Sequence, residues 1–286
     1  MSDRHSETDE PDLIKDPAER AFAEARNALR QFDVGMLLLD HWLDVGRPYI
    51  RPSDLLTLNR FAIAGIHKFA GTFRNSEVRI GGSQHQPPNA AFVPELVEDF
   101  CAYLNANWDS KTAEHLAAYA LWRMNWIHPF ADGNGRTARI LSYIVLSAKS
   151  GFRLPGTTTI PEQIAANKSP YYAALEDADR AFLRGRIDVS KVEDLIEECL
   201  EKQILSAESR PATSSKSEDR RVIIDSELLD SLIPTIERSL LTVPGREKHI
   251  LKIIEKNPVL FNGLFSLLSG IGGAALGAIL TLTLSK

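Results

Sequence analysis

The chain of 286 residues has room for one or two domains, and its 44% hydrophobic content is enough for a real core. A formal net charge of −5 leaves no electrostatic footprint for nucleic acid, so no nucleic-acid partner is expected. The two cysteines, Cys101 and Cys199, have neither metal nor redox spacing and read as buried thiols of a reducing compartment.

Residues 1–15 form a polar, acidic start with no signal-peptide pattern and are expected to be disordered. An amphipathic helix follows over 17–32. A second covers 54–69, with Leu55, Leu56, Leu58, Ala62 and Ile66 on one face. The alternation Val78-Arg79-Ile80 runs into Gly81-Gly82 and predicts a short β-hairpin. Helical patterns return at 94–105, 111–127, 170–184 and 190–205. The expected fold class is all-α: a helical bundle over 16–206 carrying one small hairpin.

Beyond residue 206 the composition changes. Residues 207–220 are small, polar and charged, as in a linker. Residues 221–256 hold two short amphipathic patterns that suit a stalk. Residues 257–285 contain no charge and exceed the roughly 20 apolar residues that span a bilayer. Arg246, Lys248, Lys252 and Lys256 precede that stretch and only Lys286 follows it. The expectation is a C-terminal hydrophobic transmembrane helix over 257–286, with the preceding domain in the cytoplasm. Ser269, Gly273 and Gly277 repeat a small-residue spacing that suits a helix–helix contact, so a homo-dimer is one assembly the pattern allows. A buried helix or an interfacial hairpin around Gly270-Ile271-Gly272-Gly273 is the plainer reading of the same tail.

The densest chemistry lies at 128–139, His-Pro-Phe-Ala-Asp-Gly-Asn-Gly-Arg-Thr-Ala-Arg. Apolar helical patterns at 121–127 and 140–148 flank it, so it reads as helix, tight loop, helix. Gly133 and Gly135 permit a tight turn and close backbone approach to a ligand. The new helix begins after Asn134, and its free N–H groups make an anion site. Arg136 and Arg139, three apart, share one face of the first turn and suit a polyphosphate. Asp132 is a hard oxygen ligand, right for Mg²⁺ shared with phosphates. His128 ends the preceding helix, and an imidazole with pKa near 6.5 suits a general base. Taken singly, a helix-end His, a Gly-Asn-Gly turn and a spaced arginine pair are each ordinary surface features. Their joint occurrence in twelve residues is not.

This stretch resembles the Fic motif, His-x-Phe-x-(Asp/Glu)-Gly-Asn-Gly-Arg-x-x-Arg, at every defined position. The resemblance covers roughly residues 16–206 and implies a Fic-type bundle that moves AMP from ATP to a Ser, Thr or Tyr hydroxyl of a target protein. It implies His128 as general base, Phe130 as buried anchor and Asp132 as the Mg²⁺ ligand. Gly133, Asn134 and Gly135 would surround the α-phosphate, with Arg136 on the β- and Arg139 on the γ-phosphate. The Doc-like phosphoryl-transferring branch has a different sequence at Gly133-Asn134-Gly135-Arg136, which favours nucleotidyl transfer. The segment from Gly71-Thr72-Phe73-Arg74 through Val78, Arg79, Ile80 and Gly81 resembles the family's flap, which docks the protein substrate by strand addition. Ile160-Pro161, Tyr171 and Tyr172 resemble the segment beside adenine and ribose. Aromatic rings there could stack on a purine or simply fill the helix core.

Many Fic enzymes carry an inhibitory (Ser/Thr)-x-x-x-Glu-(Gly/Asn) helix whose Glu pairs with the second motif arginine, here Arg139. Ser6 to Glu10 matches five positions, but Pro11 follows and the stretch reads as too disordered to dock. Glu24 lies where such a helix would fall, but Arg20 replaces its Ser or Thr. Inhibition therefore comes either from Glu24 without the full motif or from an inhibitory partner protein. Two readings compete with AMP transfer. One is removal of AMP, or transfer of another nucleotide or phosphate-linked group, on the same fold. The other is an inert membrane-anchored scaffold.

Overall fold

The computed structural model describes residues 6–7 and 13–208. The stalk and anchor readings, and the linker from residue 209, lie outside the described residues.

Among the described residues there are eight α-helices, and their ends follow local chemistry. Helix α1 (Pro17–Val45) starts where the Asp16 carboxylate accepts the Glu19 N–H at 2.8 Å, with proline in the first turn. It ends on Gly46 at φ 72°. α1 continues well past residue 32, where the sequence pattern stops, because Gly35 does not break it. A Cβ on Gly35 would come within 2.8 Å of Ile140 Cγ1, so the glycine lets two helices touch closely instead.

Helices α2 (Pro52–Ile63), α3 (Val93–Ala106) and α4 (Ala113–Ile127) follow, the last capped by Thr112, which accepts the His115 N–H at 3.1 Å. Next come α5 (Asn134–Ser150), the short α6 (Ile160–Ala166), α7 (Lys168–Phe182) and α8 (Ser190–Glu208). α4 and α5 are the central pair. α1 and α2 cover one side of α5, while α3 and α8 pack on α4. Leu116, Leu121, Met124 and Ile127 of α4 meet Leu141, Ile144 and Val145 of α5 in the core, and all are fully buried. Burial of this kind contributes roughly 1.5–3 kcal/mol per large side chain and fixes the two helices that flank the loop against each other.

Two findings correct the sequence reading. First, no hairpin forms in the 71–88 segment. Strand β2 (Arg79–Ile80) turns at Gly82, where Ser83 N–H reaches Ile80 O at 3.1 Å, and no returning strand follows. Pro87 and Pro88 lack the N–H groups such a strand would need. Second, the expected disorder of residues 1–15 does not hold at Ser6–Glu7. These residues form strand β1, which pairs antiparallel with β2 in the register Ser6↔Ile80 and Glu7↔Arg79. The edge of β2 offers unpaired backbone groups, and β1 satisfies them. Among the described residues no helix is long and apolar enough to cross a membrane.

Candidate functional site

The α4–α5 connection is shaped by its own side chains. α4 stops at His128, the one described non-glycine residue with positive φ (φ 51°). Phe130 is fully buried, its ring 5.7 Å from that of Phe73. Asn134 then ties the loop into a ring: its Oδ1 accepts Phe130 N–H at 2.9 Å and its Nδ2 donates to Phe130 O at 2.8 Å. Gly133 sits at φ 78°, and a Cβ there would lie 2.8 Å from Ile63 Cγ2 and 3.0 Å from Asn59 Nδ2. Neither the conformation nor the space admits a side chain. The first ladder bond of α5 is Thr137 N–H to Gly133 O, so the N–H groups of the preceding turn face the loop mouth outside the helix ladder.

That mouth opens on a cavity of about 650 Å³. His128, Asp132, Gly133, Asn134, Gly135, Arg136 and Arg139 all line it, as do Tyr171 and Tyr172 from α7 and Ile80 from the flap. Sequence positions from Ile80 to Tyr172 thus meet at one site. Tyr171 and Tyr172 are both buried, with ring centroids 5.4 Å apart. Val78 belongs to the core, and Arg79 is exposed. The Asn134 amide is tied to the loop through Phe130, while its Nδ2 also reaches Ser6 Oγ at 3.5 Å at the cavity edge.

The imidazole of His128 is oriented from behind. Its Nδ1 lies 3.3 Å from Asn125 O, a carbonyl that can only accept, so Nδ1 carries the proton and Nε2 presents a lone pair. Nε2 faces Ser6 Oγ at 2.9 Å. Burial pushes the His128 pKa down to about 3, with the Arg74 and His85 charges adding to the effect, against opposing contributions from the Asn125 carbonyl and Asp132. The expected value near 6.5 is therefore corrected: the buried ring is neutral throughout the physiological range and available to accept a proton.

Asp132 stands at the centre of an ion network. Its Oδ1 accepts Gly133 N–H at 2.6 Å, and its Oδ2 accepts from Arg136 Nη2 at 3.2 Å and Arg20 Nη2 at 3.1 Å. Arg20 Nε also bonds Glu24 Oε1 at 3.2 Å, and Glu24 lies 3.8 Å from Arg136 Nη2. α1 brings Glu24 beside Arg136, the first motif arginine, whereas the inhibitory pattern named Arg139 as the partner of its Glu.

Three residues do positional work that no motif singled out. Asn59, fully buried, donates to Asp132 O at 2.9 Å and accepts Gly71 N–H at 3.1 Å, joining the loop to the start of the flap. Arg74, also buried, donates to His128 O at 2.8 Å, to Ser76 O at 3.1 Å and to Pro88 O. Its own N–H reaches Pro129 O at 2.9 Å. Arg20 carries the link from α1. In the sequence Arg74 stood out only as part of the flap segment and Arg20 only as the residue in place of the inhibitory Ser or Thr, and Asn59 only as a polar residue between the buried Leu58 and Phe61.

Together these elements define a helical domain built around one loop-and-helix-start site, with an imidazole on one side and an edge strand above. Residues 49–146 match the Fic/DOC family model. Over 163 residues, 56% of this chain, it is 31% identical to the protein adenylyltransferases Fic of Drosophila persimilis and Drosophila mojavensis. The chain spans 30% of the length of each of these relatives. Among solved structures, it resembles Fic-1 of C. elegans, with TM-score 0.51 and 24% identity over 67% of this chain and 53% of that one. It also resembles a Fic-domain-containing signaling protein of Bacteroides thetaiotaomicron, with TM-score 0.53 and 19% identity over 65% and 74%. These two likenesses establish the Fic fold.

Proposed function

We propose that the chain is a protein adenylyltransferase that moves AMP from ATP to a Ser, Thr or Tyr hydroxyl of a protein docked on the flap. One observation carries the reading: a neutral, oriented imidazole presents Nε2 to the cavity that the α5 start and both motif arginines line. In this reading His128 takes the hydroxyl proton, within general-base reach of a group placed where Ser6 Oγ lies. The first-turn N–H groups of α5 and the Arg136 and Arg139 guanidiniums hold the phosphate chain and stabilise charge developing on it. Tyr171 and Tyr172 wall the base end of the nucleotide.

Mg²⁺ fits the donor set. Among the described residues no cluster of three or more His, Cys, Asp or Glu could cage a metal. A single carboxylate sharing the ion with substrate phosphates is the usual arrangement for Mg²⁺, and Asp132 supplies it. The ion would neutralise phosphate charge when bound. Asp132 would then exchange the Arg20 guanidinium for the metal.

Glu24 acts as a brake in this proposal, because its carboxylate adds negative charge beside Arg136, where phosphate must bind. A partner protein remains the other source of inhibition. We also propose that residues 257–286 anchor the domain to a membrane with the domain on the cytoplasmic side, a reading supported by the uncharged run and the basic residues before it. Alkaline carbonate extraction of the chain with and without those residues tests it; release of both would remove the anchor.

The test of the main reading is labelling of cell lysate with α-labelled ATP and Mg²⁺. Native chain should label protein and His128→Ala should not. If only pre-modified targets react, by releasing AMP, the removal reaction takes its place.

A further inference from the structure

The flap of this chain is already paired. β1 lies on β2 in antiparallel register, main chain to main chain, as strand addition would place a substrate segment. In a strand only every second residue faces a given side, and Ser6 is the β1 residue whose hydroxyl meets the site. Its Oγ is 2.9 Å from His128 Nε2 and lines the cavity with Asp132 and Arg136. Asn134 Nδ2 donates to the same oxygen over a long 3.5 Å, a weak bond that occupies one lone pair at most. Because Nδ1 of His128 carries the ring proton, the Ser6 hydroxyl donates to Nε2, and a lone pair of Oγ is left for chemistry. Further along the chain, Leu13 N–H bonds Ile66 O at 3.0 Å, which ties the chain just before α1 to the body of the domain.

We infer that Ser6 is a modification site of this chain: the acceptor, within the same molecule, of the AMP that the site transfers. The inference rests on the adenylyl-transfer reading above. In the step, Ser6 Oγ attacks the α-phosphorus of ATP and a new O–P bond forms. The bond from the α-phosphorus to the bridging oxygen breaks, and pyrophosphate leaves with the electron pair. The hydroxyl proton passes to His128 Nε2. No oxidant or further co-reactant is needed. Holding acceptor and base together in one chain supplies the proximity that a separate substrate must gain by binding. Occupation of β2 by β1 also means that another protein segment must displace Ser6–Glu7 before it can dock.

The full chain is incubated with α-labelled ATP and Mg²⁺, AMP is mapped on its peptides by tandem mass spectrometry, and pyrophosphate release is followed in parallel. The same runs are made with Ser6→Ala, Ser6→Thr and His128→Ala, and each again with Glu24→Gly so that the proposed brake cannot mask a signal. The expected result is AMP on residue 6, lost to background in Ser6→Ala and His128→Ala and restored in Ser6→Thr. Its rate constant should not change with chain concentration. His128-dependent pyrophosphate release with no AMP on Ser6 would overturn the inference and leave adenylyl transfer standing. Neither pyrophosphate release nor AMP in any variant would overturn both. A rate constant rising in proportion to chain concentration would mean that copies modify each other, which overturns transfer within one molecule.

Discussion

Arg20 Nη2 sits 3.1 Å from Asp132 Oδ2, fastening the long first helix to the loop that precedes α5. The same guanidinium bonds Glu24, so one arginine holds two carboxylates beside Arg136. In the proposed reading, substituting Glu24 by glycine removes a carboxylate that would compete with phosphate for Arg136. AMP transfer should rise by roughly tenfold, the equivalent of about 1.4 kcal/mol in nucleotide binding. Labelling rates at sub-saturating ATP measure this; an unchanged rate would acquit Glu24 as the brake.

Arg74 joins the flap to the His128 loop through three backbone carbonyls. Arg74→Ala leaves buried acceptors unpaired and should cost about 3 kcal/mol, read as a lower denaturant midpoint at constant slope. Arg74→Lys should recover little, because an ammonium lacks the planar fork that reaches several acceptors at once.

The two loop glycines should part company. Gly133→Ala puts a methyl 2.8 Å from Ile63 Cγ2 at φ 78° and should destabilise by about 2 kcal/mol. Gly135 is helical, and a Cβ there meets only the end of the Arg139 side chain at 3.3 Å. Gly135→Ala should therefore leave the thermal midpoint nearly unchanged while lowering ATP affinity. Equal midpoints for the two variants would contradict the assigned geometry.

His128 also sets a pH dependence. Above 6.5 the ring is neutral in both folded and unfolded chains and contributes nothing to the difference. Below it the unfolded ring takes a proton that the buried ring refuses down to about 3, so stability falls with pH across that window. Chemical denaturation at a series of pH values should show a shallower acid loss in His128→Gln than in the native chain. AMP transfer by folded protein should show no inflection near 6.5 assignable to His128.

The helix–loop–helix at 128–139 was legible because everything it needs is contiguous: glycines for the turn, Asn134 to close it, and flanking apolar periodicity to bury both helices. Most helices were legible for the same local reason. The full length of α1 was not, because a helical glycine such as Gly35 looks like a breaker until Ile140 is seen packed against it. Arg74 and Asn59 were not legible as struts, since their acceptors are backbone carbonyls, and a carbonyl has no residue identity to read.

By itself the sequence determined which residues could do chemistry and that they share one loop, since bond geometry and helix periodicity act over a few residues. Only the tertiary structure decided the state of those residues. The His128 pKa is set by burial beneath elements far away in the chain. Arg136 is shared with Glu24 because α1 crosses the site. The flap edge is closed by Ser6–Glu7, more than seventy residues from its partner strand. Strand pairing runs through backbone groups common to every residue, so a polar tail shows no sign of it until the fold brings an open edge within reach.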